Sequence, residues 1–233
     1  MHAWLHWLQG PVFWAALTLA VLGLARRLAL AGAQMRRALR RSGDRRIVYR
    51  AAWRATWRWL SPGTPFRVRP LFGAASVVFH ASIIVAPLFL AGHIALIRGA
   101  VGLSWPALPN LVATALALVA VVAAAALVVQ RLATRALRSL SGVQEYALPV
   151  AVALPFVTGL LVMHPAWNPA PYQVMLLLHA ATADLLLLLI PVTKLSHIAL
   201  FPLTQLATEL AWHFTPDAGE KVGAALGRGS EPI

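Results

Sequence analysis

The chain is predicted to be an all-α integral membrane bundle of about five transmembrane helices. Three observations predict it. Of its 233 residues, 60% are hydrophobic and only 12% are charged, far too little polar surface for a soluble domain of this size. Residues 71–97, 99–130 and 146–183 contain no Asp, Glu, Lys or Arg, and each run exceeds the roughly 20 residues that span a hydrocarbon core. Alternating strand patterns are absent, so helices are expected rather than a barrel.

The spans are justified in order. The first runs from about Pro11 to Ala31. No basic stretch precedes its apolar run and no A-x-A cleavage site follows, so it reads as a membrane helix rather than a removed signal. The second covers about Pro70 to Ile97, the third about Ala107 to Gln130, and the fourth about Tyr146 to Met163. The fifth begins near Pro171 and continues to about Leu203. The stretch from His164 to Tyr172, HPAWNPAPY, separates the last two because Pro breaks helices and favours turns. No internal repeat or linker stands out, so residues 1–233 form one membrane domain. A basic interfacial segment covers 33–69, and a cytoplasmic tail covers 204–233.

The net charge is +13, yet its distribution argues against nucleic acid as a partner. Thirteen of the twenty Lys and Arg lie between Arg26 and Arg69, beside membrane segments, where they give a positive-inside signal and contact lipid headgroups. Arg131, Arg135 and Arg138 fall on the same side, whereas the opposite loops hold only Arg98. The N-terminus is therefore expected outside and the C-terminus in the cytoplasm. Between Arg36 and Leu60, Arg50, Arg54 and Arg58 recur every four residues, with Trp53 and Trp57 offset from them. This is a helix at headgroup level, read either as an interfacial anchor or as a docking surface for an electron-transfer partner. The chain has no cysteine, which excludes disulfides, thiolate metal sites, iron–sulfur clusters and c-type heme attachment in this chain.

Two pairs of histidines lie inside the apolar runs: His80 and His93 in span two, His179 and His197 in span five. Ionisable or metal-binding side chains are costly in a bilayer and usually mark function. Three crossings relate the two spans, so they are antiparallel, and the natural pairs are His93 with His179 and His80 with His197. Each pair can offer two neutral imidazoles to one iron, which points to two b hemes, one above the other. A six-coordinate heme suits electron transfer rather than oxygen chemistry. Eighteen residues at about 100° each return His197 to the face of His179, about 27 Å along the axis. His80 and His93, thirteen apart, would point roughly 140° apart on an ideal helix; Pro87 between them offers a kink, and Gly92 leaves room for a flat macrocycle. His2, His6, His164 and His213 are read as surface or interfacial residues.

These residues resemble a family. Phe79-His80, Gly92-His93 and Ser104-Trp105-Pro106 are similar to the second span of the gamma-subunit family of respiratory nitrate reductase. Leu178-His179 followed by Ile190-Pro191-Val192-Thr193-Lys194-Leu195-Ser196-His197 is similar to that family's LH…PF(S/T)(R/K)LxH element, eighteen-residue spacing included. Gln144-Glu145-Tyr146 is similar to the start of its fourth span. The resemblance covers roughly 70–205. It implies a five-helix bundle in a bacterial or archaeal cytoplasmic membrane, two b hemes, and oxidation of quinol from the quinone pool. Because no second cofactor motif is present here, a partner subunit carrying iron–sulfur, molybdenum or heme centres is expected to hold the terminal chemistry. The thirteen-residue spacing in span two departs from the nitrate reductase subunit itself. It is more similar to relatives attached to heterodisulfide-reductase-like or multiheme redox complexes.

Polar residues beside the histidines complete the candidate set. Lys194, and more weakly Arg69, are cations placed to pair with heme propionates. Asp184 is the one acidic residue inside an apolar run, a candidate proton acceptor for quinol or a buried partner organising the heme pocket. Arg98, five residues after His93, is placed to face propionates or a quinone headgroup, with Tyr172 and Gln173 at the same level. Electron flow toward quinone uses the same parts. A histidine-lined metal-ion transporter is a second class, which predicts carboxylates near the histidines; a membrane scaffold is a third.

Overall fold

The computed structural model describes residues 2–43, 47–61, 70–215 and 217–227; Arg69 lies outside them. The secondary structure of the described residues is helix joined by turns and irregular connections, with no strand among them, and five helices are long and apolar enough to cross a membrane. The first, α1 (His2–Ser42), is longer at both ends than the apolar run predicts. Pro11 does not stop it, because the stretch Leu8–Val12 is wound as a π-helix, the local adjustment that absorbs a missing N–H. The helix stops at Gly43, whose left-handed backbone (φ 67°) returns its N–H to the Leu39 carbonyl. Beyond it, α2 (Tyr49–Leu60) is the short basic and aromatic helix. It buries Ala52 and Thr56 and leaves Trp53, Trp57 and Trp59 exposed.

Span two is not one helix. It is α3 (Pro70–Phe89) followed by α4 (Ala91–Val101), separated by Leu90 in extended backbone. The predicted kink at Pro87 is thus a break three residues later. The third span is α5 (Asn110–Ala133), and after the short α6 (Arg135–Ser139) comes α7 (Val143–Met163). Glu145 starts α7 by accepting the Gly142 N–H at 2.8 Å. Span five is also broken: α8 (Tyr172–Leu189) runs into a turn around Pro191 and one 3₁₀ turn, Lys194–Ser196, before α9 (His197–Glu209). The eighteen-residue rotation expected from one continuous helix does not describe this segment. A last short helix, α10, covers Ala218–Ala225.

Packing follows chain order. α3 lies on α5, α5 on α7, α7 on α8, and α8 on α1, while α9 lies against α2 and α1. The main core, Phe79, Ala123, Ala124, Leu127 and Val152, joins α3, α5 and α7, with Leu186 and Leu195 closing it. Alanines on α5 let its neighbours approach closely, as small residues do where lipid removes the hydrophobic drive between helices. A second cluster, Ala52, Leu206 and Leu210 against Met35 and Leu39, ties α2 and α9 to the far end of α1. Helices α3 and α8 are not a closely packed pair among the described residues. The histidines meet across the space between spans two and five, α4 facing α8 and α3 facing α9.

Candidate functional site

The two histidine pairs come together across that space as the antiparallel topology requires. The rings of His93 and His179 stand 6.0 Å apart between centroids, their planes only 7° from parallel. Those of His80 and His197 stand 5.8 Å apart with planes inclined at 82°. The geometry suits a shared metal. Two imidazoles bound to one ion through nitrogen at about 2.0–2.1 Å, each nitrogen about 1.1 Å from its ring centre, place the centroids about 6.3 Å apart.

All four rings are oriented in the same way. His80 Nδ1 is 2.7 Å from the Ser76 carbonyl, His93 Nδ1 2.8 Å from that of Pro87, His179 Nδ1 2.9 Å from that of Pro155, and His197 Nδ1 2.8 Å from that of Lys194. A carbonyl can only accept, so each Nδ1 carries the proton and each Nε2 keeps its lone pair. This is the tautomer a metal-bound imidazole needs, fixed by the hydrogen bond that such ligands make on their far side. The other described histidines with resolved partners differ. His164 uses Nε2 toward the Thr114 hydroxyl (2.9 Å) and stacks on Trp167, and His2 uses Nε2 toward Gln173.

No group of three or more His, Cys, Asp or Glu able to hold a metal ion occurs among the described residues. The donor set is two imidazoles per level, which fits a metal that brings its remaining ligands with it, as heme does. Two glycines match. A Cβ on Gly92 would meet no atom within 4 Å, whereas one on Gly159 would press on the His179 ring at 3.1 Å.

The corner that carries His197 is held from two helices, α1 and α7. Arg27 of α1 donates to the Thr193 carbonyl at 3.3 Å and, in a short contact, to the Ser196 hydroxyl. Gly23, one turn earlier, lets α1 approach so closely that a Cβ there would lie 2.5 Å from Pro191 Cβ. From α7, Gln144 accepts the Lys194 amide at 3.0 Å, and Glu145 pairs with the Lys194 ammonium. Lys194 therefore stands three residues before a candidate ligand with a carboxylate already beside it. Asp184 is only 4% exposed, and its Oδ2 has no hydrogen-bond partner among the described residues, a costly state that marks the residue. Arg98 sits exposed in the last turn of α4, and Gln173 is occupied by His2.

Arg27, Gly23, Gly159 and the backbone acceptors were not legible from motif or spacing. Arg27 reads in sequence as one more cation of the basic run, and the two glycines as ordinary helix residues. The break in span five and its approach to α1 give Arg27 and Gly23 their roles, and the packing of α7 on α8 gives Gly159 its role.

A protein of Nitratidesulfovibrio vulgaris, named simply "Protein", is 35% identical over 201 residues, covering 83% of this chain and 87% of that one. The chain belongs to the same family as that protein. The relative's name states no chemistry. No protein-family model matches the chain, and no solved structure does.

Proposed function

We propose that this chain is the di-heme b membrane subunit of a respiratory redox complex, taking electrons from quinol on the outer side and delivering them to a partner subunit on the cytoplasmic side. One observation carries the reading. Four imidazoles, His80 and His179 on membrane-length helices and His93 and His197 on the shorter helices that continue them, face each other in two pairs at 6.0 and 5.8 Å, every one with Nδ1 tied to a carbonyl. Bound heme supplies reversible one-electron chemistry at each level. His93 with His179 toward the outside and His80 with His197 toward the cytoplasm would hold the two hemes, their tautomers set by the carbonyls that Nδ1 bonds. In this reading Asp184 takes a proton on the quinol side and Arg98 orients the quinone headgroup, while Lys194 divides its charge between Glu145 and a propionate. The basic face and the cytoplasmic C-terminus are where the partner with iron–sulfur, molybdenum or heme centres docks.

A metal-ion transporter is less well supported. It needs carboxylates or further imidazoles around the ion, and among the described residues no group of three or more such ligands occurs. The deciding experiment is a reduced-minus-oxidised visible spectrum of the purified chain with pyridine hemochrome stoichiometry. Two b hemes per chain are expected, the outer lost in His179→Ala and the inner in His197→Ala. A chain without a b-type Soret band would overturn the proposal.

A further inference from the structure

On an unbroken helix His80 and His93 would point about 140° apart, yet both face partners on the other arm of the site. Pro87 does not make the correction, since the helix runs past it to Phe89. The change of direction happens at Leu90, whose backbone is extended (φ −76°, ψ 129°). In a regular helix the amides of Ala91, Gly92 and His93 would bond the carbonyls of Pro87, Leu88 and Phe89. The extended residue withdraws those donors inside a membrane span, where an unpaired carbonyl is expensive.

Each of the three carbonyls has a substitute donor. The His93 ring takes Pro87 (2.8 Å), the Trp105 indole N–H takes Leu88 (2.8 Å), and the Leu108 amide takes Phe89 (2.9 Å). Two of these come from the connection between α4 and α5, which Pro106 and Pro109 keep out of helix. The break is therefore held open from outside span two. Were Leu88 uncapped, the simplest repair would be to rewind the turn at Leu90, which would rotate α4 and swing His93 off the Pro87 carbonyl.

We infer that Trp105 is a positioning residue for His93: by capping the Leu88 carbonyl it fixes the helix break that aims this imidazole and sets its plane nearly parallel to that of His179. The inference rests on the di-heme reading above and adds to it how the outer ligand is oriented. It also predicts a spectroscopic signature. Near-parallel axial imidazoles give a rhombic low-spin signal, and near-perpendicular ones a strongly anisotropic signal with a larger maximal g value. The 7° and 82° pairs should therefore be distinguishable in one sample.

The test is Trp105→Phe, which keeps an aromatic ring and removes the N–H, measured by electron paramagnetic resonance and heme content on the full chain in native membranes. The outer signal is identified by its loss in His179→Ala. The outer signal should move toward the anisotropic form, or outer-heme content should fall about two- to ten-fold, the consequence of losing one hydrogen bond. The inner signal should be unchanged and serves as the internal measure of folding. An outer signal unaltered in position and amount overturns the inference. So does loss of both signals together, or of the protein from the membrane, because Trp105 would then serve the fold at large. Absence of b heme from the unmodified chain, or hemes indifferent to His179→Ala, overturns the di-heme reading itself and the inference with it.

Discussion

Gly159→Ala is a single methyl aimed at one imidazole. The added Cβ would lie 3.1 Å from Cε1 and 3.3 Å from Nδ1 of His179, whereas non-bonded carbons rest at about 3.5–4.0 Å. The ring must therefore retreat by about half an ångström. It is not free to do so. Its Nδ1–H is held by the Pro155 carbonyl at 2.9 Å, with the Thr158 hydroxyl 3.3 Å away. Pro155 and Gly159 are four apart on α7 and so share a face, and moving away from one stretches the bond to the other. Overpacking of this kind costs about 1–3 kcal/mol. At 1.4 kcal/mol per factor of ten, that weakens occupancy of the His93–His179 site about five- to 150-fold. The assay is the ratio of outer to inner b heme in the purified chain, with Gly99→Ala as control because a Cβ there meets nothing within 4 Å. The outer heme should be depleted while the inner is retained. A ratio equal to that of the control, with an unmoved outer signal, would refute the argument that Gly159 exists to seat His179.

Three further outcomes are expected. Arg27→Leu removes the donors to the Thr193 carbonyl and Ser196 hydroxyl, charged bonds each contributing about 1.5–3 kcal/mol; it should deplete the inner heme selectively, and equal loss of both hemes would contradict its local role. Asp184→Asn should leave both hemes in place and slow their reduction by quinol in stopped-flow measurements; a native rate, together with a quinone-site inhibitor that protects residues near Lys194, would move the quinol site to the cytoplasmic side. A cysteine placed at Ser42 in this cysteine-free chain should be shielded from membrane-impermeant reagent in intact cells, and labelling from outside would reverse the proposed topology.

The membrane class and the pairing of histidines were legible because both depend on coarse quantities: the length of uncharged runs and the direction of successive crossings. Those survive errors of several residues at helix ends. The expected ends were off where a local device intervened, as in α1, where a π-helical turn carries the chain through Pro11. The two helix breaks were less legible. Proline marked both segments, but it fixes only its own φ and its missing N–H. Where the strain is released depends on donors supplied from elsewhere, such as Trp105 for Leu88 and Arg27 for Thr193. These contacts join residues 17 and 166 positions apart, and no periodicity argument reaches that far. Lys194 illustrates the same limit. Its charge and place were visible, while the presence of Glu145 beside it required α7 to be docked first.

The two sites are built on one plan. In each, one imidazole is referred to a carbonyl within a regular helix: His80 to Ser76 in α3, His179 to Pro155 in α7. Its partner is referred to a carbonyl at a break: His93 to Pro87 before Leu90, His197 to Lys194 in the 3₁₀ turn. The first kind is referred to a carbonyl whose position a regular helix fixes, within the same helix for His80 and across to α7 for His179. The second kind inherits whatever angle the break imposes. The difference between a 7° and an 82° pair is thus set at Leu90 and at the Pro191 corner, not along the straight helices. Substitutions that disturb a break should change the plane angle, and with it the electronic character of one heme, before they abolish binding. Substitutions at the regular-helix ligands should simply remove a heme. If the proposed di-heme reading holds, the side chains that hold the breaks, Trp105 and Arg27, are where one histidine pair would be adjusted without touching the other.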